Sequence, residues 1–375
     1  MFLKHLHLQG FRNYPDQALD FMAPTTILLG DNAQGKSNLL EAVLLLAHLQ
    51  SPRAGRDQEL IQQGAEWAVL RATLDRQPEP IDLGLTLRQN GRRSMSRNHQ
   101  PVRRQIDFLG HLNTVFFSCL DLDLVRGGPA GRRDWLDGIL RQLEPIYHNL
   151  LQDYQQALRQ RNALLRAEVV DPEVLQLWNG QLVQTGTRLM RRRWRLLHRL
   201  APLAALWHSR LSQTQETLEI TYAPSVPTSS DEPEAIVAAF WAKLEARAEV
   251  ERHQATTLVG PHRDEVVLAL NQTPARQYGS QGQQRTLVLA LKLAELHLLE
   301  AVLGETPILL LDDVLAELDL KRQHQLLAVI QDRFQTLITT THLGLFDPQW
   351  LCSTQILEVS QGRLRPSVTP VLGLE

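Results

Sequence analysis

The stretch TTILLGDNAQGKSNLLEAVLLLAHL, residues 25 to 49, decides the fold. A short apolar run is followed by a glycine-containing loop and then by leucines at helical spacing, which predicts a strand, a loop and a helix. Within it, GDNAQGKS satisfies the phosphate-loop pattern, and both flanking elements are of the kind that this pattern requires. The sequence therefore predicts an α/β lobe that binds a nucleotide.

Each residue type in this loop has a physical role in phosphate binding. Glycines let the backbone wrap around the phosphates, Lys36 would reach the β and γ oxygens, and Ser37 would ligate Mg²⁺. We therefore expect ATP and Mg²⁺ as ligands. The predicted ATP-binding loop consists of Gly30, Asp31, Asn32, Ala33, Gln34, Gly35, Lys36 and Ser37.

Two later apolar runs end in polar side chains suited to nucleotide chemistry. PILLLDD ends in two carboxylates; the first, Asp312, is placed to hold the metal, and Asp313 is placed to act as general base or to position water. Either aspartate could instead be an ordinary helix cap. TLITTTH places His342 at the carboxyl edge of the sheet, where it could contact the γ-phosphate or simply cap the strand.

The chain alternates between α/β and helical character. WAVLRATLD and IDLGLTLRQ alternate like a pair of strands, whereas residues from about 130 to 255 are mostly helical, interrupted by a Pro/Ser/acidic loop at 223–234. After residue 260, short aliphatic runs alternate with helices again, which indicates a parallel sheet. We expect a discontinuous ATPase lobe of residues 1–110 and 256–375, with a mostly helical second lobe at 111–255.

Bulk composition limits the possible functions. The 375 residues have a formal net charge of −2, which argues against a wholly basic nucleic-acid binder and leaves room only for a local basic surface. Two cysteines cannot build a disulfide framework, the N-terminus has no apolar signal segment, and the longest aliphatic run is too short for a membrane. These features predict a reduced cytoplasmic location without a membrane partner.

A second glycine-containing loop, QYGSQGQQRTLVLALKLAE at 277–295, also precedes an apolar helix and could accept an anion at its bare backbone N–H groups. By itself it could be an ordinary helix start. The order of motifs, however, resembles that of the ATP-binding cassette ATPases, in which a signature loop binds the γ-phosphate of a nucleotide held by another cassette. That resemblance implies a signature loop acting on the partner's ATP, formed by Ser280, Gln281, Gly282, Gln283 and Gln284, and a dimer-interface loop formed by Ala316, Glu317, Leu318 and Asp319.

Within that superfamily the chain is most similar to the RecF family. The motifs that support this are LQGFRNY, GDNAQGKSNLLEA, GRRDWLD, GPHRDE, SQGQQRTLVLALKLAE and LLLDDVLAELD, spread from Leu8 to Asp319. The resemblance adds Arg12 and Asn13 to the ATP-binding set and implies that Asp313, Lys36 and His342 form the catalytic set. It implies an SMC-like head, an ATP-dependent homodimer with slow hydrolysis, binding of single- and double-stranded DNA at junctions, and RecO- and RecR-type partners in recombinase loading.

The sequence departs from the family pattern in two places. RecF-like phosphate loops usually have glycine where Ala33 stands, and alanine fits only if the backbone there keeps an ordinary φ. Cys119 and Leu120 stand where the family usually has Pro-Glu, so no metal-contacting role is assigned to them. Asp313, by contrast, is itself RecF-like: it stands where transporter cassettes have glutamate, its carboxylate reaches less far, and slow hydrolysis is expected.

One arginine-rich stretch suggests a DNA contact. Residues 174–215 contain no carboxylate but seven arginines, of which four fall on one helical stripe: Arg188, Arg192, Arg195 and Arg199. Such a stripe could follow DNA phosphates. Alternatively it is a solvated helix face, or its arginines pair with acids elsewhere in the fold. The basic loop at 91–104 has the same two interpretations.

Three other functional classes compete with an ATP-controlled DNA-binding dimer. In the first, ATP is mainly a structural ligand of a DNA-binding module. The second, a transporter ATPase subunit, is disfavoured by the helical insertion and the arginine stripe. The third, a nuclease-fused cassette protein, lacks a free cluster of acids or histidines at metal-ligand spacing.

Overall fold

The computed structural model describes residues 1–212, 216–228, 230–331 and 333–367. Two compact units divide the chain: Met1–Asp121 together with Leu299–Glu375, and Leu122–Leu298. Each unit is built around its own strands and helices.

Fifteen strands are present in the described part of the chain. They are β1 (Phe2–Phe11), β2 (Tyr14–Asp20), β3 (Thr25–Leu29), β4 (Trp67–Asp75), β5 (Ile81–Arg88), β6 (Arg93–Arg97), β7 (Gln100–Val102), β8 (Thr114–Ser118), β9 (Leu218–Ala223), β10 (Glu265–Leu270), β11 (Thr273–Pro274), β12 (Ile308–Asp312), β13 (Thr336–Thr340), β14 (Thr354–Ser360) and β15 (Arg363–Pro366).

Ten α-helices accompany them within the same described ranges. They are α1 (Lys36–His48), α2 (Asp123–Arg126), α3 (Pro129–Leu143), α4 (Ile146–Leu165), α5 (Pro172–Ser212), α6 (Pro233–Gln254), α7 (Ala275–Tyr278), α8 (Gln281–Leu303), α9 (Leu320–Ile330) and α10 (Pro348–Cys352).

The first unit contains two six-stranded sheets. One is antiparallel with the order β2-β1-β4-β5-β6-β7, and it includes the β4–β5 pair that sequence alternation predicts. The other has the order β15-β14-β3-β13-β12-β8, and all its pairs except β14–β15 are parallel. Leu29 aligns with Thr340, and Asp312 aligns with both Thr339 and Ser118. The strand ends that the nucleotide chemistry requires therefore meet at one edge.

Helix α1 packs against strands of both sheets. This placement explains why residues 39–47 are buried on every side, and not only along the predicted apolar stripe of Leu39, Leu40, Val43, Leu44 and Ala47. Burying one such leucine contributes about 1.5–3 kcal/mol, so this helix fixes the loop that precedes it. One carboxylate, Glu41, is also buried in this helix, at 1% exposure.

The second unit is mostly helical, as expected, and is organised around the 41-residue helix α5, which packs against α3, α4 and α6. It also contains a small antiparallel sheet, β11-β10-β9. The segment EVVLALN, expected in the parallel lobe, instead forms β10 and pairs with β9, with Val267 opposite Thr221. The stretch Leu218–Ala223, which contains the strand-favouring residues Ile220, Thr221 and Tyr222, supplies this partner strand inside the region expected to be helical.

These pairings explain why the compact units differ from the expected lobes. Strand β8 aligns with β12, so the first unit extends to Asp121 and not only to residue 110. The β9–β10 pair keeps residues 256–298 with the helical unit. The parallel nucleotide lobe resumes only at Leu299.

Candidate nucleotide-binding site

The phosphate loop connects β3 to α1 in the first unit, and its two glycines are required by their surroundings. A Cβ on Gly30 would lie 2.4 Å from the Val359 carbonyl oxygen. Gly35 has φ +115°, and a Cβ there would lie 2.5 Å from the Asn13 amide nitrogen. The backbone can make this turn only with glycine at both ends.

Ala33 is a third residue of the loop, after Gly30 and Gly35, whose backbone conformation is constrained. Its φ is 65°, so the residue adopts the left-handed conformation. The condition under which alanine was expected to fit, an ordinary φ, is therefore not met. An L-residue in this conformation costs roughly 1–2 kcal/mol, which the rest of the loop must offset.

Lys36 points back into the loop. Its Nζ donates to the carbonyl oxygens of Gly30, at 2.7 Å, and Asp31, at 2.9 Å, and the residue is only 4% exposed. Asp31 and Asn32 are exposed at the tip of the loop. The ammonium group is thus held at the centre of the backbone turn, where a phosphate group would meet it.

Asn13 supports the loop from behind. Its Nδ2 donates to the Gln34 carbonyl oxygen at 2.8 Å, and its Oδ1 accepts a hydrogen bond from Asn38 at 2.8 Å. The Gln34 side chain in turn accepts a hydrogen bond from the Gln361 amide at 2.9 Å. Asn13, one of the predicted ATP-binding residues, therefore holds the backbone of the phosphate loop through Gln34.

Arg12 is engaged with protein groups. Its Nε and Nη2 donate to the two oxygens of Glu41 at 2.9 and 2.8 Å, and its Nη1 donates to the Glu59 carbonyl oxygen at 2.9 Å. Although burial acts to raise the pKa of Glu41, hydrogen bonds from Arg12 and Ser51 and the charge of Arg53 hold that pKa below its usual value. The buried carboxylate is therefore ionised and anchors Arg12.

Arg53 was not identified from the sequence. Its Nη2 contacts the Ser37 carbonyl oxygen at 2.8 Å and Glu41 at 3.0 Å, which ties the chain after α1 to the start of that helix. The available signal was Glu41 itself, a charge within the apolar run NLLEAVLLLA. A carboxylate buried at such a position requires a cationic partner.

Ser37 and Asp312 meet across the parallel sheet. The Ser37 hydroxyl donates to Asp312 Oδ1 at 2.7 Å, and the Thr339 hydroxyl donates to the same oxygen at 2.9 Å. Burial raises the pKa of Asp312, and the charge of neighbouring Asp313 adds to this effect. A cation beside this carboxylate would offset its cost of burial.

Asp313 follows at the same edge in a strained backbone conformation, with φ 54°. Its amide donates to the Thr339 hydroxyl at 2.8 Å, and its carboxylate accepts from that hydroxyl at 3.3 Å. Left-handed backbone at a non-glycine residue is concentrated at functional sites. His342 follows the adjacent strand β13 and is exposed, with its Nδ1 3.1 Å from the Thr341 hydroxyl.

The predicted dimer-interface loop follows Asp313. Ala316 and Glu317 are exposed in a short 3₁₀ turn, Leu318 is buried, and Asp319 caps α9 by accepting the Arg322 amide at 2.9 Å. That backbone hydrogen bond lowers the pKa of Asp319. Leu320 immediately after the cap is 67% exposed, so an apolar side chain projects into solvent here.

The predicted signature loop lies in the second unit, at the N-terminus of α8. The Ser280 hydroxyl accepts from the Gln283 amide at 3.2 Å, and Gln283 Oε1 accepts from the Ser280 amide at 2.7 Å. This reciprocal pair is a capping box. Gln284 is buried and accepts from Arg126 Nε at 2.7 Å, whereas Gln281 is exposed and Gly282 is partly buried beside it.

The arginine stripe on α5 is only partly unpaired. Arg192 Nε donates to Glu144 at 2.8 Å and Arg195 Nε donates to Asp231 at 2.5 Å, whereas Arg188 and Arg199 are exposed and have no carboxylate partner among the described residues. Three of the stripe's residues border a cleft of about 430 Å³. It is lined by Arg191, Arg192, Arg195, Arg199, Glu144, Leu140, Leu143, Leu196 and Leu298.

Two motifs that support the family resemblance form a buried network in the second unit. Arg193 is 3% exposed and donates to both oxygens of Asp137, at 2.8 and 2.9 Å, and to the Pro261 carbonyl oxygen at 2.7 Å. Asp264 lies 3.5 Å from the same guanidinium group. GRRDWLD and GPHRDE therefore supply structural partners for α5.

In the basic loop at 91–104, two arginines are paired. Arg93 pairs with Asp57, and Arg104 Nε lies 2.8 Å from Asp107. For Arg93 and Arg104, the pairing supports the interpretation in which the arginines of this loop are neutralised by acids elsewhere in the fold.

Within residues 1–212, 216–228, 230–331 and 333–367, no cluster of three or more His, Cys, Asp or Glu side chains could hold a metal ion unaided. Among the helices in this part of the chain, none combines the length and the apolar character that a membrane crossing requires.

Comparisons with known proteins agree along nearly the whole chain. The family described as RecF/RecN/SMC N terminal domain matches residues 2–349. The DNA replication and repair protein RecF of Cyanothece sp. (strain PCC 7425 / ATCC 29141) is 64% identical over 96% of this chain and 97% of that protein. The protein of the same description from Nostoc punctiforme is 60% identical over 98% of this chain and 100% of the relative.

Solved structures give the same result. A structure of the recombination mediator protein RecF-ATPrS in the RecFOR pathway is 31% identical, with a TM-score of 0.91 over 97% of this chain and 98% of that one. An Smc head bound to the C-winged helix domain of ScpA is 15% identical, with a TM-score of 0.58 over 98% of this chain and 97% of that one. The second match supports the SMC-head-like ATP-binding cassette fold alone.

Proposed function

Because this chain belongs to the RecF family, we propose that it is an ATP-dependent DNA-binding protein of recombinational repair and replication-fork recovery. In this proposal it dimerises on ATP, acts at single-strand gaps and junctions, binds single- and double-stranded DNA, and helps recombinase loading. Slow ATP hydrolysis resets the dimer. The observation on which the ATP-dependent part rests is the Ser37–Asp312 contact, which joins the phosphate loop to the acidic end of β12.

ATP binding is assigned to the loop from Gly30 to Ser37. The backbone amides of the loop and of the first turn of α1 donate hydrogen bonds to the phosphate oxygens, and the helix dipole favours their negative charge. Lys36 Nζ exchanges its two carbonyl acceptors for phosphate oxygens, so the cation is already in place before the ligand arrives. Arg12 and Asn13 act in this account by holding Glu41 and Gln34.

The residues at this edge fit Mg²⁺. Ser37 and Asp312 supply a hydroxyl and a buried carboxylate oxygen, and Mg²⁺ is usually bound by one or two carboxylates together with substrate phosphates. This explains why a cluster of three acidic or histidine ligands is not needed. When bound, the ion neutralises charge on the β and γ oxygens.

Hydrolysis is assigned to Asp313 and His342. Thr339 bonds both aspartates, so it holds the Asp313 carboxylate beside Asp312. In this proposal Asp313 orients the attacking water and accepts its proton, and His342, whose ring lies exposed at the neighbouring strand end, contacts the γ-phosphate. An aspartate has a short reach, which is consistent with slow turnover.

Dimerisation is assigned to the signature loop. Ser280 and Gly282 in one chain serve the nucleotide of the other, and the loop from Ala316 to Asp319 crosses the interface. Ser280, Ala316 and Glu317 are exposed, as contact with a second chain requires. Two nucleotides are then enclosed by two chains.

DNA binding is assigned to the stripe Arg188, Arg192, Arg195 and Arg199. Arg188 and Arg199 are the stronger candidates, because no acid in the described part of the chain compensates them. The proposal also includes RecO- and RecR-type partners, in keeping with the RecFOR pathway named for the solved RecF structure, and a cytoplasmic location.

Replacing Lys36 by methionine tests the nucleotide site. We expect ATP affinity to fall by at least about a hundredfold, because the loop loses its only buried cation directed at phosphate. The measurement is isothermal titration with ATP and Mg²⁺. Lys4→Met, which removes a 56% exposed lysine paired with Asp75, is the matched control and should bind normally. Normal ATP affinity in Lys36→Met would remove the basis of this site assignment.

An alternative, in which ATP is only a structural ligand of a DNA-binding module, is favoured by the hydrogen bonds that already engage Asp313. Asp313→Asn separates the two functions. If hydrolysis resets a clamp, this variant binds ATP, loses at least about tenfold in turnover and stays dimeric after the wild type has dissociated. If ATP is structural, DNA release from the variant and from the wild type occurs at the same rate.

A further inference from the structure

The signature loop is held by a carboxylate that lies outside it. Gln283 Nε2 donates to Glu216 Oε1 at 2.8 Å. Glu216 lies shortly before β9, and its side chain is 21% exposed. The bond therefore joins the first turn of α8 to a different part of the second unit.

The Gln283 amide is fixed at both ends. Its Oε1 accepts from the Ser280 amide at 2.7 Å while its Nε2 donates to Glu216. The Ser280 N–H can only donate, and the carboxylate of Glu216 can only accept, so these two partners determine the orientation of the amide. Exposed Ser280 thus depends on Gln283, and the Gln283 side chain depends on Glu216.

Glu216 also faces helix α5. Its Oε2 lies 3.9 Å from Nε2 of His208, a fully buried residue near the end of that helix. Burial lowers the pKa of His208, although the charge of Glu216 opposes the shift. One carboxylate therefore stands between α5, which contains the arginine stripe, and the signature loop.

Neither of the loop's other two glutamines replaces this contact, because Gln281 is exposed and Gln284 has other partners. Gln284 is buried, accepts from Arg126 and donates to the Ala275 carbonyl oxygen at 3.2 Å. These bonds fasten the helix start but do not reach the Ser280 hydroxyl. The orientation of Ser280 is left to the capping box.

We propose that Glu216 is a positioning residue for the signature loop. Through Gln283 it fixes the Ser280 backbone amide, and with it the position of the Ser280 hydroxyl, whose own O–H is left to donate to the γ-phosphate bound by a second copy of the chain. The inference rests on the proposed ATP-dependent dimer. It predicts that loss of Glu216 weakens dimerisation and leaves ATP binding within one chain unchanged.

Two substitutions at Glu216 and one matched control test this proposal. Glu216→Ala should weaken ATP-dependent dimerisation at least about tenfold, because a hydrogen bond to a charged group is lost. Glu216→Gln keeps an acceptor oxygen at the same reach and should stay within about threefold of the wild type. Glu219→Ala, an exposed carboxylate on β9, should have no effect. Sedimentation with ATP gives dimerisation, and titration calorimetry gives ATP affinity.

Equal dimerisation in Glu216→Ala and wild type would overturn the role of Glu216, and so would a Glu216→Gln variant as weak as Glu216→Ala. A wild-type chain that stays monomeric with ATP would instead overturn the proposed dimer and this inference with it. If Glu216→Ala does not fold, as judged by circular dichroism, Gln283→Ala removes the same bond from the other side. It should then show the same loss of dimerisation, and unchanged dimerisation would refute the proposal.

Discussion

Sequence motifs predict the positions of polar residues in two regions of the molecule. One is the nucleotide edge of the first unit, where β3, β12 and β13 end, and the other is the arginine face of α5 in the second unit. At the nucleotide edge, short side chains are fixed by the local backbone: Ser37 lies in the first turn of α1, and Asp312 ends β12. On α5, long side chains find partners far away in the chain, so Arg192 pairs with Glu144 and adjacent Arg193 pairs with Asp137.

This difference shows what a motif can specify. A phosphate loop determines φ, ψ and the direction of its side chains within eight residues, and parallel register then brings the second strand end to it. A helical stripe determines only which side of a helix its residues occupy. Whether an arginine there is free or neutralised depends on tertiary contacts that its spacing does not encode.

The largest expected effect separates two adjacent arginines on α5. Arg193→Met should lower the free energy of unfolding by about 3–5 kcal/mol, because Asp137 would remain buried without a cation. Arg192→Met removes a pair between a 26% and a 45% exposed side chain and should cost only about 0–1 kcal/mol. Urea denaturation followed by circular dichroism measures both. Similar losses in the two variants would contradict the distinction between a structural and a surface arginine.

A smaller effect separates the free arginines of the stripe from the paired ones. Replacing Arg188 and Arg199 by alanine should reduce the slope of log affinity against log salt by about 2, because each free arginine that neutralises a phosphate releases counterions. Replacing Arg192 and Arg195 should reduce it by less than about 1, since Glu144 and Asp231 already compensate them. DNA binding across a salt series measures the slopes.

The control for this experiment is Arg104→Ala, which removes an exposed arginine paired with Asp107 in the other unit. If the salt slope is unchanged in all the α5 variants, the stripe is a solvated helix face and DNA must bind elsewhere on the chain.

The sequence predicted the nucleotide edge well because its residues are adjacent to backbone features. The order of phosphate loop, acidic strand end and histidine-ended strand was enough to predict one parallel sheet with its functional side chains at one edge, and β3, β12 and β13 confirm that arrangement. Thr339, which bonds both aspartates, was missed because a threonine within a strand gives no signal of its partner.

Other features could not be obtained in this way. The assignment of EVVLALN to the parallel sheet was wrong, because an isolated apolar strand does not encode whether its partner is β9 or a nucleotide-lobe strand. The left-handed φ of Ala33 could not be predicted either, because alanine rarely adopts that backbone conformation. Arg193 was only counted among the seven arginines of 174–215, and its spacing gave no sign that its contacts are those of a core residue.

Sedimentation of the wild type and of Ser280→Arg, each without nucleotide, with ADP and with ATP, shows whether the signature loop serves the nucleotide of a second chain. We expect ATP alone to convert the wild type to a dimer, and Ser280→Arg to bind ATP normally but stay monomeric because the arginine obstructs the signature loop. A wild-type mass that does not change with ATP, or a Ser280→Arg variant that dimerises like the wild type, would contradict a signature loop that serves the nucleotide of a second chain.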